Sequence, residues 1–175
     1  MTERSRLDRA LDLVRSVPDF PQPGVLFWDL TPLLADAAAM ASVTGALDGM
    51  VGDAVLVAAI EARGFLFGAA LGARSGRGVV PVRKAGKLPV VGHRLEYTLE
   101  YGTAVLELPA GVIEPGQPVL VVDDVLATGG TAAAACELVE LAGGRVSAVC
   151  VVLEIGALDG RKRLAGRDVH ALRTV

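Results

Sequence analysis

The chain has 175 residues, enough for one domain that hides roughly 70% of the surface its unfolded form would expose. It carries a net charge of −3, so it lacks the basic excess that nucleic-acid binding requires. Half of it is apolar (52%), yet the longest runs fall far short of the roughly 18 residues of a membrane span, and the N-terminus mixes acids with bases and has no apolar core, unlike a signal peptide.

Elements emerge in chain order from the apolar spacing. Leu7, Leu11 and Val14 set against Arg4, Asp8 and Asp12 predict an amphipathic helix ending before Pro18. Residues 18–24 hold three prolines and a glycine and predict a rigid loop. Thr31-Pro32 predicts a capped helix start, with the helix running through the alanine-rich stretch to about residue 50. Residues 54–60 are continuously apolar and predict a buried strand, followed by a helix over 63–75 and a second strand over 78–82. Gly64, Gly68 and Gly72 recur every four residues on that helix, a spacing that lets it approach a sheet closely. Residues 84–110 interrupt the alternation: basic first, then polar and aromatic, with 95–99 and 104–108 expected to pair as a hairpin. A long insertion of this kind suits an active-site lid. Strands over 119–122, 146–153 and 169–172 then alternate with a helix over 130–142, ended by Gly143-Gly144, and a short helix near 158–164. Strands apolar on both faces that alternate with helices predict an α/β fold with a mostly parallel central sheet flanked by helices. Aromatics are only 4% of the chain, so valine, leucine and alanine must build the core, and Cys136 and Cys150 read as small buried hydrophobes. His93 and His170 fit no metal or triad arrangement.

The segment with the most chemical content is Val121-Val122-Asp123-Asp124-Val125-Leu126-Ala127-Thr128-Gly129-Gly130-Thr131. A buried strand leads to two acids, then to a loop of small residues, then to a helix. In an open α/β sheet this is where ligands bind. The N–H groups of Ala127, Thr128, Gly129, Gly130 and Thr131 can wrap a phosphate, and the helix N-terminus adds partial positive charge. Asp123 and Asp124 would repel that phosphate; they suit the hydroxyls of an attached sugar. No lysine follows the glycines, so this is not a Walker A loop, and G-x-G-x-x-G is absent. Arg63, just past a predicted strand, can grip an anion in bidentate fashion, and Arg83, Lys84 and Lys87 form a positive cluster beside the predicted lid.

These eleven residues resemble the phosphoribosyl pyrophosphate signature of the type I phosphoribosyltransferases. The resemblance implies that fold, spanning residues 1–175 as a single domain with a hood or flexible lid over about 84–110. Four further segments, in the same order along the chain, resemble those of adenine-using members: Phe20-Pro21-Gln22-Pro23-Gly24-Val25-Leu26-Phe27-Trp28-Asp29 their base-binding segment, Glu61-Ala62-Arg63-Gly64-Phe65 their pyrophosphate loop, residues 81–89 their basic segment, and Leu99-Glu100-Tyr101-Gly102 their catalytic hood. The base-binding region then spans about 18–35. The implied activity is adenine phosphoribosyltransferase: adenine and phosphoribosyl pyrophosphate give AMP and pyrophosphate in purine salvage. The implied roles follow residue by residue. Glu100 is catalytic. Arg63, Arg83, Lys87, Tyr101, Asp123, Asp124 and residues 127–131 bind phosphoribosyl pyrophosphate. Val25, Leu26, Phe27 and Trp28 bind adenine. The resemblance further implies a non-proline cis peptide at Glu61-Ala62, Mg²⁺ held through the substrate and not by a dedicated protein ligand set, a cytoplasmic homodimer, and part of the basic cluster reaching the neighbouring subunit's site.

One position departs from the pattern. Trp28 stands where the adenine enzymes commonly have arginine, which removes a charge but leaves a ring that can stack or pack. Transfer to xanthine or another purine is therefore the alternative reading. A non-catalytic sensor of phosphoribosyl pyrophosphate is the other alternative, but the first 20 residues are too few for a DNA-binding winged helix.

Overall fold

Thr2 starts the first helix by accepting the Ser5 N–H at its hydroxyl (3.3 Å). In the computed structural model, which describes residues 2–98 and 102–175, that helix (α1, Glu3–Leu11) stops well short of Pro18. Residues 15–18 instead form a strand (β1, Arg15–Pro18) paired antiparallel with β2 (Leu26–Asp29), Val17 lying opposite Phe27. Val17 is β-branched and precedes a proline, so it favours extended backbone over helix. The expected helix over 31–50 is also broken, into α2 (Thr31–Ala35) and α3 (Ala37–Asp48). Asp36 causes the break: its backbone is extended, and its carboxylate accepts the Ala39 N–H at 2.8 Å as a new N-cap. Thr31 is not the cap of α2; Leu30 holds that position, and Asp29 takes the Thr31 N–H at 2.8 Å. By contacts the chain divides into two compact units, Met1–Ala46 and Leu47–Val175.

The second unit is built on a seven-stranded sheet. In chain order its elements are β3 (Leu56–Ile60), α4 (Gly64–Ser75), β4 (Gly78–Lys84), β5 (Val91–Thr98), β6 (Thr103–Pro109), β7 (Pro118–Leu126), α5 (Gly130–Leu141), β8 (Arg145–Glu154) and β9 (Val169–Thr174). Two 3-10 turns, Gly156–Leu158 and Gly160–Leu164, replace the short helix expected between β8 and β9. The spatial order is β5-β6-β4-β3-β7-β8-β9. The run from β4 to β9 is parallel, whereas β6 pairs antiparallel with both β4 and β5. This is the expected mostly parallel sheet. The expected hairpin is present and longer than foreseen, and it extends the sheet edge through the Arg83↔Glu107 pairing.

The two faces of β3 show how the layers form. Alternate residues point to opposite faces. Ala58 belongs to the cluster that packs Ala135, Cys136, Leu138 and Val139 of α5. Ala59 faces α4, where a Cβ added to Gly68 would lie 2.5 Å from the Ala59 Cβ; one added to Gly72 would lie 2.3 Å from Val79 Cγ2. The glycine spacing thus sets the helix–sheet distance. Both cysteines are buried and unpaired, and burial pushes their thiols up to about 12, so they behave as inert core residues. No helix among the described residues is long and apolar enough to cross a membrane.

Candidate active site

The connection β3-α4-β4 leaves β3 on one side, and β7-α5-β8 leaves β7 on the other. The strand order therefore reverses between β3 and β7, which opens a crevice at their carboxyl ends. The register locates it: β3 runs beside β7 only as far as Ala59↔Val122, while β7 continues to Leu126 against β8. Asp123 and Asp124 lie in that unaccompanied stretch. The strand does not end at the acids, as the sequence suggested; β8 supplies the hydrogen bonds that keep it extended. A cavity of about 310 Å³ opens here, lined by Glu61, Ala62, Arg63, Lys84, Tyr97, Asp123, Asp124 and Thr131 among others.

The two acids are held differently. The Asp124 side chain is 8% exposed, and its Oδ2 lies 2.6 Å from Arg63 Nε. That oxygen is buried and ion-paired with Arg63 but accepts no well-directed hydrogen bond from any described residue, so it has lone pairs left to offer a ligand. Asp123 Oδ1 accepts the Asp124 N–H at 2.8 Å. Burial, followed by the neighbouring Asp124 charge, holds the Asp123 carboxyl well above the ordinary carboxylate range. Gly64 leaves room for this pair: a Cβ there would lie 2.9 Å from Asp123 Oδ1.

Next along the chain, Ala127, Thr128, Gly129, Gly130 and Thr131 line a small recess of about 70 Å³. Gly129 is the N-cap of α5 with φ 81°, a left-handed conformation that favours glycine. The first N–H groups of α5 are free of intrahelical partners and point, with the helix dipole, at whatever occupies the recess. The loop rests on a distant backbone. A Cβ on Gly129 would lie 2.2 Å from the Gly160 carbonyl oxygen, and one on Gly160 would lie 2.2 Å from the Ala127 carbonyl oxygen. Thr131, which lines both cavities, shares a 3.2 Å hydrogen bond with the Tyr97 hydroxyl on β5.

The basic segment gathers on Glu61. Glu61 Oε2 accepts from Arg83 Nε at 3.2 Å and from the Lys84 N–H at 3.0 Å, and Lys87 Nζ donates to Oε1. Burial of Glu61 would raise its pKa. The bonds from Lys87, Lys84 and Arg83 outweigh that and hold it below the ordinary value. Arg83 also lies over the Phe65 ring at 5.8 Å. The Glu61-Ala62 peptide is cis, as the resemblance implied.

In the first unit, Leu26, Phe27 and Trp28 lie on β2, with Val25 just before it; Leu26 is half exposed and the other three are partly buried. Phe27 meets Phe20 edge to face at 5.1 Å. Glu100 and Tyr101 lie outside the described residues. Among the described residues no group of three or more His, Cys, Asp or Glu side chains is arranged to hold a metal ion. Sequence reasoning missed Tyr97, the hub role of Glu61, and Gly160. Tyr97 had a signal: the period of two puts it on the same strand face as Leu95, and both pack toward the α5 cluster. Gly160 had none.

An acid pair and an anion loop at the switch point of a parallel sheet, faced by an arginine, define the phosphoribosyltransferase class. The phosphoribosyl transferase domain family matches residues 33–170, and the chain belongs to it. An adenine phosphoribosyltransferase of Saccharopolyspora erythraea is 59% identical over 170 residues, covering 97% of this chain and 93% of that one. A crystal structure of the Thermoanaerobacter pseudethanolicus adenine phosphoribosyltransferase superposes with a TM-score of 0.93 at 46% identity, covering 97% and 99% of the two chains. The Saccharomyces cerevisiae enzyme, complexed with an imino-altritol bisphosphate and adenine, gives 0.91 at 34% identity over 96% and 98%. Within the wider family, the chain belongs to the adenine phosphoribosyltransferases.

Proposed function

We propose that the chain transfers the phosphoribosyl group of phosphoribosyl pyrophosphate to N9 of adenine, releasing pyrophosphate and forming AMP. The observation that carries this reading is Asp124 Oδ2, a buried carboxylate oxygen ion-paired with Arg63 but lacking a well-directed hydrogen bond from the described residues, beside Asp123 and next to the recess at the α5 N-terminus. One sugar hydroxyl can donate to that oxygen and a neighbouring one to Asp123, and a phosphate on the same sugar fits the helix N-terminus.

In this reading Asp123 and Asp124 hold the ribose hydroxyls, and residues 127–131 hold the 5′-phosphate. As the bond to pyrophosphate lengthens, positive charge grows on the sugar and negative charge on the leaving group. Asp123 and Asp124 stabilise the first; Arg63, Arg83 and Lys87 stabilise the second. Glu100 takes up the proton that adenine loses, and Tyr101 covers the ribose and excludes water. Val25, Leu26, Phe27 and Trp28 contact the base. The donor set fits a Mg²⁺ held mainly by substrate oxygens, which when bound adds positive charge opposite the pyrophosphate. The whole chain acts as one phosphoribosyltransferase domain, as a cytoplasmic homodimer in which Arg83 or Lys87 serves the neighbouring site. Sedimentation giving a fully active monomer overturns the dimer. The base is tested by supplying purified protein with phosphoribosyl pyrophosphate, Mg²⁺ and adenine, hypoxanthine, guanine or xanthine in turn. Adenine is expected to be used at least about 100-fold better than the others, because unmatched polar edges leave buried groups unpaired. A preference for xanthine transfers the role of Trp28 to a different purine.

A further inference from the structure

Glu61 has no role in the reaction as described, yet it is 7% exposed and lines the cavity that is to receive an anion. A carboxylate there repels pyrophosphate. Its own engagement is complete: Oε2 takes Arg83 Nε and the Lys84 N–H, and Oε1 takes Lys87 Nζ. Arg83 Nη1 also donates to the Lys87 carbonyl at 3.1 Å, so the three residues close a ring of contacts. Two of the three cations assigned to the leaving group are thus already ion-paired with one acid. Charge-assisted bonds of this kind are about twice as strong as neutral ones. Any anion that recruits Arg83 or Lys87 must first take them from Glu61.

We infer that Glu61 is an internal counter-anion: it occupies Arg83 and Lys87 when pyrophosphate is absent, gives them up when pyrophosphate binds, and recaptures them as pyrophosphate departs. The inference rests on the reading of Arg83 and Lys87 as pyrophosphate ligands. Glu61 is a positioning residue, because it acts through those cations. Its presence weakens pyrophosphate binding and hastens release. A purely structural acid does the reverse when removed: the basic segment loosens and anions bind less well.

The test uses the whole protein and inorganic pyrophosphate as the probe, reading its product-inhibition constant against phosphoribosyl pyrophosphate together with KM and kcat. Glu61→Gln keeps the size and one acceptor but removes the charge. It is expected to bind pyrophosphate roughly 5-fold more tightly, the scale of a partly exposed ion pair, with KM and kcat both lowered. Glu61→Asp keeps the charge and is expected to stay nearer the wild type. Unchanged or weakened inhibition in Glu61→Gln, or equal tightening in both variants, overturns the inference. Lys87→Met separates the two readings. If it weakens pyrophosphate inhibition while Glu61→Gln changes nothing, the counter-anion fails and the pyrophosphate assignment stands. If Lys87→Met and Arg83→Met both leave inhibition unchanged, the assignment and the inference fall together.

Discussion

Replacing Gly160 with alanine should disable the phosphate loop from behind, without substituting any residue assigned to a ligand. Gly160 opens the second 3-10 turn, and its added Cβ would sit 2.2 Å from the Ala127 carbonyl oxygen, 3.1 Å from the Gly129 N and 3.1 Å from Leu126 Cγ. The nearest of these atoms is backbone, so no flexible side chain can yield. Ordinary contact distances require a separation of about 1 Å more. Either the turn or the loop must move. Overpacking of this size costs about 1–3 kcal/mol, and each kcal/mol lowers Tm by roughly 2–4 °C in a chain of this length. If the loop moves by ~1 Å, kcat/KM for phosphoribosyl pyrophosphate should fall on the order of 10²-fold. Thermal unfolding and initial-rate kinetics on the purified variant read both quantities. Gly160→Ala with wild-type Tm and wild-type kcat/KM would refute the claim that this turn supports the loop.

Asp123→Asn should trade activity for stability. The Asp123 carboxyl has its folded-state pKa raised by burial and by Asp124. The folded state therefore holds a proton that the unfolded state releases, and stability falls as pH rises above the unfolded value of about 3.9. Asparagine retains the acceptor for the Asp124 N–H and removes this loss, so the ligand-free variant should melt higher than wild type at pH 7 and no higher at pH 3.5, while use of phosphoribosyl pyrophosphate collapses. A lower Tm at pH 7 would contradict the electrostatic account. Glu100→Gln should slow the single-turnover rate of AMP formation by about 10²–10⁴-fold with little change in phosphoribosyl pyrophosphate affinity; a wild-type rate would assign the proton to another group.

What the sequence made legible was local. Strand, acids, small loop and helix start occur within eleven consecutive residues, and each step has its own signature, so the heart of the site could be read before any coordinates. The parallel sheet was legible for the same reason: β3, β7 and β8 are apolar on both faces. The failures are places where a side chain or a distant strand overrides local propensity. Alanine-rich sequence favours one long helix through 31–50, but the Asp36 carboxylate caps a second one. Helical spacing continues past Leu11, but pairing with β2 claims Arg15–Pro18. Glu61 gathers partners 22 to 26 residues away, Tyr97 meets Thr131 across 34, and Gly160 lies against Gly129 in space. Periodicity carries no information about such meetings.

The central claim is that the acid pair on β7 holds the ribose of phosphoribosyl pyrophosphate while adenine displaces pyrophosphate. Its most direct test is single-turnover formation of AMP from adenine by wild type and Asp124→Asn. The substitution removes the charge from a buried oxygen that is paired with Arg63 and, among the described residues, accepts no well-directed hydrogen bond. A hydrogen bond to a charged acceptor is worth about 1.5–3 kcal/mol, so the variant should lose roughly 10- to 150-fold in kcat/KM for phosphoribosyl pyrophosphate while keeping its fold. A folded Asp124→Asn protein that makes AMP as efficiently as wild type would contradict the claim.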